Sequence, residues 1–348
     1  MIKKTKIYLI ASIALIILAA LAALGYFYFT KKNYSYPAEY KLNVTHVSDQ
    51  DETEKMGKRL GGNCYLATTA MLLKHFDPNI EFWKVFVYQG NAVSFGYYWP
   101  NGAAGGTMAN LADGSTDILL SAASNLGYTP HVRMSKFDTG MGSWPNKTKT
   151  RGDDFRYYFF TPPMDEYKNI ISSNIPIGTS GSPCHNDYNV IEGYNENELF
   201  AIIPNPQDVN RIDPKINCPV GSGLTHAVFW FTPDGKKISD KDLMLKMRGT
   251  VNESLEVMER YIKNLKEGAD VIEFSQNIYL GREFASMYFQ ERGYAELATG
   301  YRKSTELLLP LANIYPPDIN KHKDEIIAQM EKILENEKGL VKYWEAIN

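Results

Sequence analysis

The sequence is poor in cysteine and lacks the motifs that usually hold a metal ion or a phosphate. Its three cysteines and six histidines are scattered along 348 residues, without a CxxC or HExxH spacing. The glycine-rich stretch at 101–114 has no GxxxxGKS/T pattern. We therefore expect no metal and no cofactor.

Strong charge of either sign is also missing. The formal net charge is −3, from 37 basic and 40 acidic residues. A near-neutral chain has no electrostatic attraction for a polyanion, so nucleic acid is not an expected partner. The hydrophobic content of 44% is that of a globular protein, and 348 residues suffice for about two domains.

Long apolar runs are absent except at residues 7–29, which carry no charge. A run of this length can cross a hydrocarbon core of about 30 Å. Three lysines precede the run and two follow it, which predicts a single-pass membrane protein with a cytoplasmic N-terminus and an extracellular C-terminal domain. A cleaved signal peptide is the alternative, and either reading exports the rest of the chain.

Changes in composition along the chain divide it into four predicted segments. Strand and turn signals alternate with helical patterns in the first half, whereas helical periodicity dominates from residue 252 onward. The predicted segments are a transmembrane anchor at 1–30, a polar stalk at 31–56, a mixed domain of helices and strands at 57–240, and a helical domain at 241–348. The fold class expected for the whole is α+β.

Export bears on the cysteines, because an oxidising compartment allows disulfides. Cys184 and Cys218 lie in the same part of the chain, rich in proline and asparagine, and are the plausible pair. Cys64 is then the odd thiol.

The stretch GGNCYLATTAMLLKHF at 61–76 gives Cys64 a distinctive setting. Apolar residues recur there with helical spacing, at Leu66, Ala70 and Leu73. Cys64 falls in the first turn of this helix, where unpaired N–H groups and the helix dipole favour the nucleophilic thiolate. A small buried hydrophobic residue is the alternative interpretation of the same cysteine.

Two helix-and-strand units and a hairpin come after this helix. The strands YTPHVRM and IPIGTSG are each preceded by a predicted helix. The hairpin DYNVIEGYNENELFAIIPNP has its turn at residues 195–197, and THAVFWF predicts one more strand.

This order of elements resembles the papain-like cysteine peptidases, in particular the branch that processes bacteriocin leader peptides. NCYLATTAMLLKHF is similar to the cysteine helix of that family, and NVIEGYNENELFAIIPNP is similar to its strand–GYD–turn–strand–DP motif. A helix before LGY and a later helix before IPI complete the likeness, which covers about residues 57–208. It implies a papain-like fold, with the cysteine helix packed on an antiparallel sheet, and a peptide, small amide or acyl substrate.

A second, weaker resemblance is to acyltransferases of the butirosin-biosynthesis-protein-H type, which are papain-like relatives. VSFGYY at 93–98 is similar to a segment that comes after their cysteine helix. EFASMYFQERGYAELATGYRKSTELLLPLA is similar to their helical C-terminal region. This second likeness accounts for residues 240–348, and it implies acyl transfer.

Both families imply a triad of Cys, His and Asp or Asn, in which the third residue orients the imidazole. Cys64 matches the nucleophile, and Asn205 occupies the position of the family's Asp before proline. The families also imply a glutamine six residues before the cysteine as an oxyanion donor, but Lys58 holds that position. Asn63 is the candidate substitute, together with the backbone N–H of Cys64. The histidine should lie six residues before Gly193, but that position holds Asp187, which is too acidic to be a matched base.

Two histidines can replace the missing base. His185 lies two residues before Asp187, about 6.6 Å along a strand, so it reaches the site only if the strand bends where it begins. His226 opens the strand THAVFWF and lies beside Asn205 if this strand pairs antiparallel to LFAIIP. The sequence leaves both histidines open.

The sequence thus leads to one main functional hypothesis and two alternatives. The main hypothesis is an exported, membrane-anchored cysteine peptidase-like hydrolase or acyl-transfer enzyme with Cys64 as its nucleophile. The first alternative is a catalytically inactive papain-like domain that binds a peptide or acts as an extracellular scaffold, and the displaced histidine favours it. The second is a structural protein with Cys64 in its core, against which the order of cysteine, helix and hairpin argues.

Overall fold

The structure is a computed structural model. Its described residues are 34–55, 64–90, 92–98, 103–105, 118–135, 154–158, 164–182, 185–205, 213–219, 227–269, 271, 273–274, 276–312 and 316–347. The chain divides into two units, Met1–Pro37 and Ala38–Asn348. Residues 34–37 of the first unit have no regular secondary structure, and every described helix and strand lies in the second unit.

Eleven strands are found among the described residues, and most of them are short. They are β1 (Tyr40–Lys41), β2 (Gly96–Tyr98), β3 (Ala103–Gly105), β4 (Thr129–Ser135), β5 (Asp154–Tyr158), β6 (Ile177–Ser182), β7 (His185–Tyr194), β8 (Glu198–Ile202), β9 (Lys215–Pro219), β10 (Ala227–Thr232) and β11 (Glu273–Phe274).

The strands form two sheets. The larger has the order β5–β4–β10–β6–β7–β8–β9, with β1 also paired to β7, and the smaller has the order β11–β3–β2. All pairs in the larger sheet are antiparallel except β4 with β5. Strand β7 is therefore central, with partners along both edges.

The described part of the chain also contains nine α-helices. They are α1 (Asp49–Glu54), α2 (Cys64–Phe76), α3 (Phe82–Val87), α4 (Ile118–Leu126), α5 (Met164–Ser172), α6 (Asp240–Lys266), α7 (Gln276–Glu291), α8 (Ala295–Ala312) and α9 (Lys323–Glu345), with a 3₁₀ helix at Pro316–His322 before the last. Helices with a mostly antiparallel sheet confirm the predicted α+β class.

Helix α2 lies at the centre of the packing. Every residue from Leu66 to Leu73 is fully buried. One side of the helix packs on β6, β7 and β10, and other sides contact α3 and α4. A helix that is apolar all round is stable only when surrounded in this way, so the position of Cys64 is a consequence of the core.

The C-terminal helices share a core with the segment after α3. Arg282 of α7 is fully buried, and its guanidinium donates to both carboxylate oxygens of Glu337 on α9, at 2.9 Å each. A third hydrogen bond, of 2.6 Å, runs to the carbonyl of Ser94. The Trp344 indole donates to the Tyr301 hydroxyl at 2.9 Å, and this contact joins α9 to α8.

The membrane predictions require correction. No helix in the described part of the chain is both long and apolar enough to cross a bilayer. The two longest described helices, α6 and α9, carry charged residues along their whole length. Neither a transmembrane helix nor the single-pass membrane location is therefore retained, and residues 7–29, where that helix was predicted, lie outside the described residues.

The predicted pairing of Cys184 with Cys218 is not confirmed, because only Cys218 of the two lies among the described residues. Cys64 is a partly exposed thiol. Cys218 is buried on β9 and is disulfide-bonded. Its predicted partner, Cys184, lies outside the described residues.

The predicted hairpin is confirmed as β7 and β8. The pairing of THAVFWF with LFAIIP, on which a position of His226 beside Asn205 depended, is absent. Strand β10 pairs with β4 and β6, not with β8. Strand β9 occupies the far edge of β8 instead. Residues 40–41, within the predicted stalk, pair with β7.

We predict that Glu337→Gln lowers the free energy of unfolding by about 3 kcal/mol or more, because it leaves the buried Arg282 charge without a counter-charge. The matched control is Glu331→Gln on the same helix, whose partner Lys266 is about half exposed. That change should cost at most about 1 kcal/mol. Urea denaturation of both variants measures the difference, and equal losses would contradict the prediction.

A second prediction concerns the stability of the fold at low pH. The Arg292 guanidinium lies 2.8 Å from Asp240 and lowers the pKa of that carboxyl. A lowered folded-state pKa stabilises the fold above the ordinary aspartate pKa, about 3.9, and the stabilisation is lost as the pH falls through the folded value.

Asp240→Asn should therefore lower the free energy of unfolding by about 1 kcal/mol at pH 7, since the pair is partly exposed. The difference from the wild type should shrink at about pH 3. Asp324→Asn, in the first turn of α9, is the control. Urea titrations at both pH values measure the effect, and a difference independent of pH would refute it.

Candidate functional site

Cys64 is the first residue of α2 and is partly exposed, although the helix behind it is buried. The N–H groups of a first helical turn have no partner within the helix, and the dipole there favours negative charge. The cysteine is thus accessible, and its helix position suits a thiolate. Its predicted setting at a helix start is confirmed.

The far end of α2 fixes the direction of the helix on the sheet. The His75 ring N–H donates to the Asn174 carbonyl at 3.0 Å, three residues before β6 begins. The Phe76 ring contacts Tyr128, one residue before β4 begins. Cys64 therefore points towards the opposite end of the sheet, where β6 and β8 finish and β7 and β10 begin. We call this the cysteine end.

Asn205 lies at the cysteine end, three residues after β8 finishes. Its side chain is 3% exposed, and its Oδ1 accepts a hydrogen bond of 3.0 Å from the Ser48 hydroxyl. Its Nδ2 is buried and has no hydrogen-bond partner among the described residues. A buried amide with an unused donor is a polar group still able to bind a further side chain.

His46 also binds the segment that ends at Asn205. The His46 Nε2–H donates to the carbonyls of Ile203 and Pro204, at 3.2 and 3.0 Å. Together with Ser48, it attaches the chain just before α1 to the three residues that end at Asn205. Helix α1 in turn contacts α2, so this attachment adjoins the Cys64 helix.

His185 is the first residue of β7, next to a break in strand register. Ser180 pairs with Tyr188 but Ser182 pairs with His185, so β7 has one residue more than β6 between these pairs. A bulge of this kind bends a strand. The backbone of β7 is therefore irregular where the strand begins, and the His185 side chain lies outside what the structure describes.

His226 lies outside the described residues, but the strand that comes after it is described. Strand β10 begins at Ala227, and β6 and β7 both lie between β10 and β8. Three strand spacings amount to about 14 Å, whereas neighbouring strands are about 5 Å apart. The pairing that would have put His226 beside Asn205 is absent, and β7, which begins with His185, is the immediate neighbour of β8.

The remaining predicted site residue, Asn63, also lies outside the described residues. The backbone of Cys64, the other oxyanion candidate, lies within the first turn of α2. No group of three or more His, Cys, Asp or Glu side chains able to hold a metal ion occurs among the described residues.

Sequence reasoning missed the roles of His46 and Ser48. One local signal was available for Ser48, since the pattern Ser48–Asp–Gln–Asp51 predicts a helix N-cap, and the Asp51 N–H does bond to the Ser48 hydroxyl. The contact with Asn205 spans 157 residues and has no local signature.

No protein-family model matches this chain, and no curated protein matches it either. The resemblances to papain-like enzymes therefore rest on the quoted motifs alone. What the site can do must be argued from its own geometry.

Proposed function

We propose that the protein is a papain-like cysteine hydrolase or acyl-transfer enzyme. Cys64 is the nucleophile, His185 the general base and Asn205 the residue that orients the imidazole. The observation that carries the proposal is the position of Asn205, which is buried at the cysteine end of the sheet, three residues after β8, and β8 is the neighbour of the strand that begins with His185.

The proposed chemistry has two steps. The Cys64 thiol gives its proton to the His185 imidazole, and the thiolate attacks a substrate carbonyl to form a C–S bond. The imidazolium protonates the leaving amine or alcohol as its bond to the carbonyl breaks. Water, or a second nucleophile activated by the imidazole, then attacks the thioester and releases the thiol. The Cys64 backbone N–H is the proposed donor to the oxyanion.

The substrate class is a peptide, a small amide or an acyl ester. Each presents the carbonyl carbon that a thiolate attacks, and none requires a cofactor. The strand order supports His185 over His226 as the base, because β6 and β7 separate β10 from β8, whereas β7, which begins with His185, is next to β8.

The test is the rate of Cys64 alkylation by iodoacetamide at pH 6, read by peptide mass spectrometry. An ordinary thiol, with a pKa near 8.5, is well under 1% thiolate at that pH. In the wild type, Cys64 should react at least about tenfold faster than the cysteines of the reduced, urea-unfolded chain. His185→Gln should return the rate to that of the unfolded chain.

Two further variants make the result specific. His75→Gln alters the other end of α2, about 16 Å away, and should leave the rate within about twofold. His226→Gln should do the same. A loss of reactivity in His226→Gln alone would overturn the assignment of His185. If Cys64 in the wild type is labelled no faster than in the unfolded chain, the proposal of an enzyme is overturned. That result would favour a catalytically inactive domain that binds a peptide.

A further inference from the structure

We infer that Ser48 is a positioning residue for the Cys64 site and acts through Asn205. The inference rests on the proposed function and adds a residue outside the triad. It assigns a role to a segment that precedes the nucleophile in sequence and was expected to be part of a stalk.

The contact itself is buried at both ends. Ser48 is 7% exposed and Asn205 is 3% exposed, and their side chains are joined by the 3.0 Å hydrogen bond. Ser48 is itself held, because it caps α1 and accepts a hydrogen bond of 3.4 Å from the Asp51 N–H. The His46 contacts keep the backbone before Asn205 in place. The amide therefore meets a fixed hydroxyl.

That hydroxyl holds one end of the amide and leaves the rest of it available. When Ser48 donates to Oδ1, as it does in the structure, Nδ2 can donate to an unprotonated ring nitrogen, and the second lone pair of Oδ1 can accept the N–H of an imidazole or an imidazolium. When Ser48 accepts from Nδ2 instead, Oδ1 can accept the same N–H. A bond from the ring N–H to Oδ1 is possible in either arrangement, and it keeps the other ring nitrogen available to take the thiol proton.

Both arrangements satisfy Ser48, because a hydroxyl is a donor and an acceptor. Both also keep one end of the buried amide paired. An alanine at position 48 removes this constraint and lets the amide turn towards any local partner. The consequence should be a less well oriented imidazole and a less reactive Cys64.

The experiment compares Ser48→Ala with Ser239→Ala in the full chain. Ser239 caps α6 within the same Ser–Asp–x–Asp pattern, and its hydroxyl accepts from the Asp242 N–H at 3.0 Å. Each variant loses a helix cap, but only Ser48→Ala loses the contact with Asn205. The measurements are the rate of Cys64 alkylation by iodoacetamide from pH 5 to pH 9 and the thermal midpoint of unfolding.

Ser48→Ala should slow alkylation at pH 6 about fivefold, the rate equivalent of one ordinary hydrogen bond. Ser239→Ala should leave the alkylation rate within about twofold of the wild-type rate. Ser48→Thr, which keeps a hydroxyl, should also stay within about twofold of it. Because Ser48 acts through Asn205, adding Ser48→Ala to Asn205→Ala should produce no further loss.

Two results would overturn the inference while leaving the proposed function intact. One is fast labelling in the wild type and equally fast labelling in Ser48→Ala. The other is a double variant, Ser48→Ala with Asn205→Ala, in which the fold reduction of the alkylation rate is the product of the two single reductions. Slow labelling of the wild type overturns the proposed function and the inference together. If Ser48→Ala fails to fold, the same cycle with Ser48→Cys, which keeps a weak donor, decides between these results.

Discussion

The burial of helix α2 is the constraint on which the rest of the structure depends. Residues Leu66–Leu73 have no exposed surface, so the helix can exist only with the sheet on one side and α3 and α4 on others. This packing leaves its first residue, Cys64, as the partly exposed end of an otherwise buried helix. The chemistry at that end is thus set by which strands begin and finish there, and the sheet order decides this.

Local sequence patterns predicted where helices and strands occur well, but they predicted poorly which strands pair with each other. The hairpin of β7 and β8 was predictable because its branched residues and its turn lie within twenty residues of one another. The partners of β10 were not, because its pairing with β4 and β6 joins segments distant in sequence, for which no local signal exists. The short strands β1 and β9 were missed because five residues or fewer carry little periodicity.

The same contrast between local and long-range features holds for the candidate site. Cys64 and Asn205 could be predicted, since one begins a periodic helix and the other lies after a strand and before proline. The proposal of His185 over His226 rests on the sheet order, which puts two strands between β10 and β8 and none between β7 and β8. Ser48 could not be assigned from sequence, because a hydrogen bond across 157 residues leaves no trace in either local segment.

The segment VSFGYY, quoted for the acyltransferase resemblance, contacts the helical region at 240–348 through residues outside the stretch EFASMYFQERGYAELATGYRKSTELLLPLA. In the segment VSFGYY, the carbonyl of Val93 lies 3.4 Å from the Ser254 hydroxyl, and the carbonyl of Ser94 accepts from Arg282. Phe95 packs against Tyr261 of α6. Residues 93–95 of the segment are therefore buried against the helical region. This packing of the segment against the helical region bears on the fold of the chain, while acyl transfer as opposed to hydrolysis depends on what reaches Cys64.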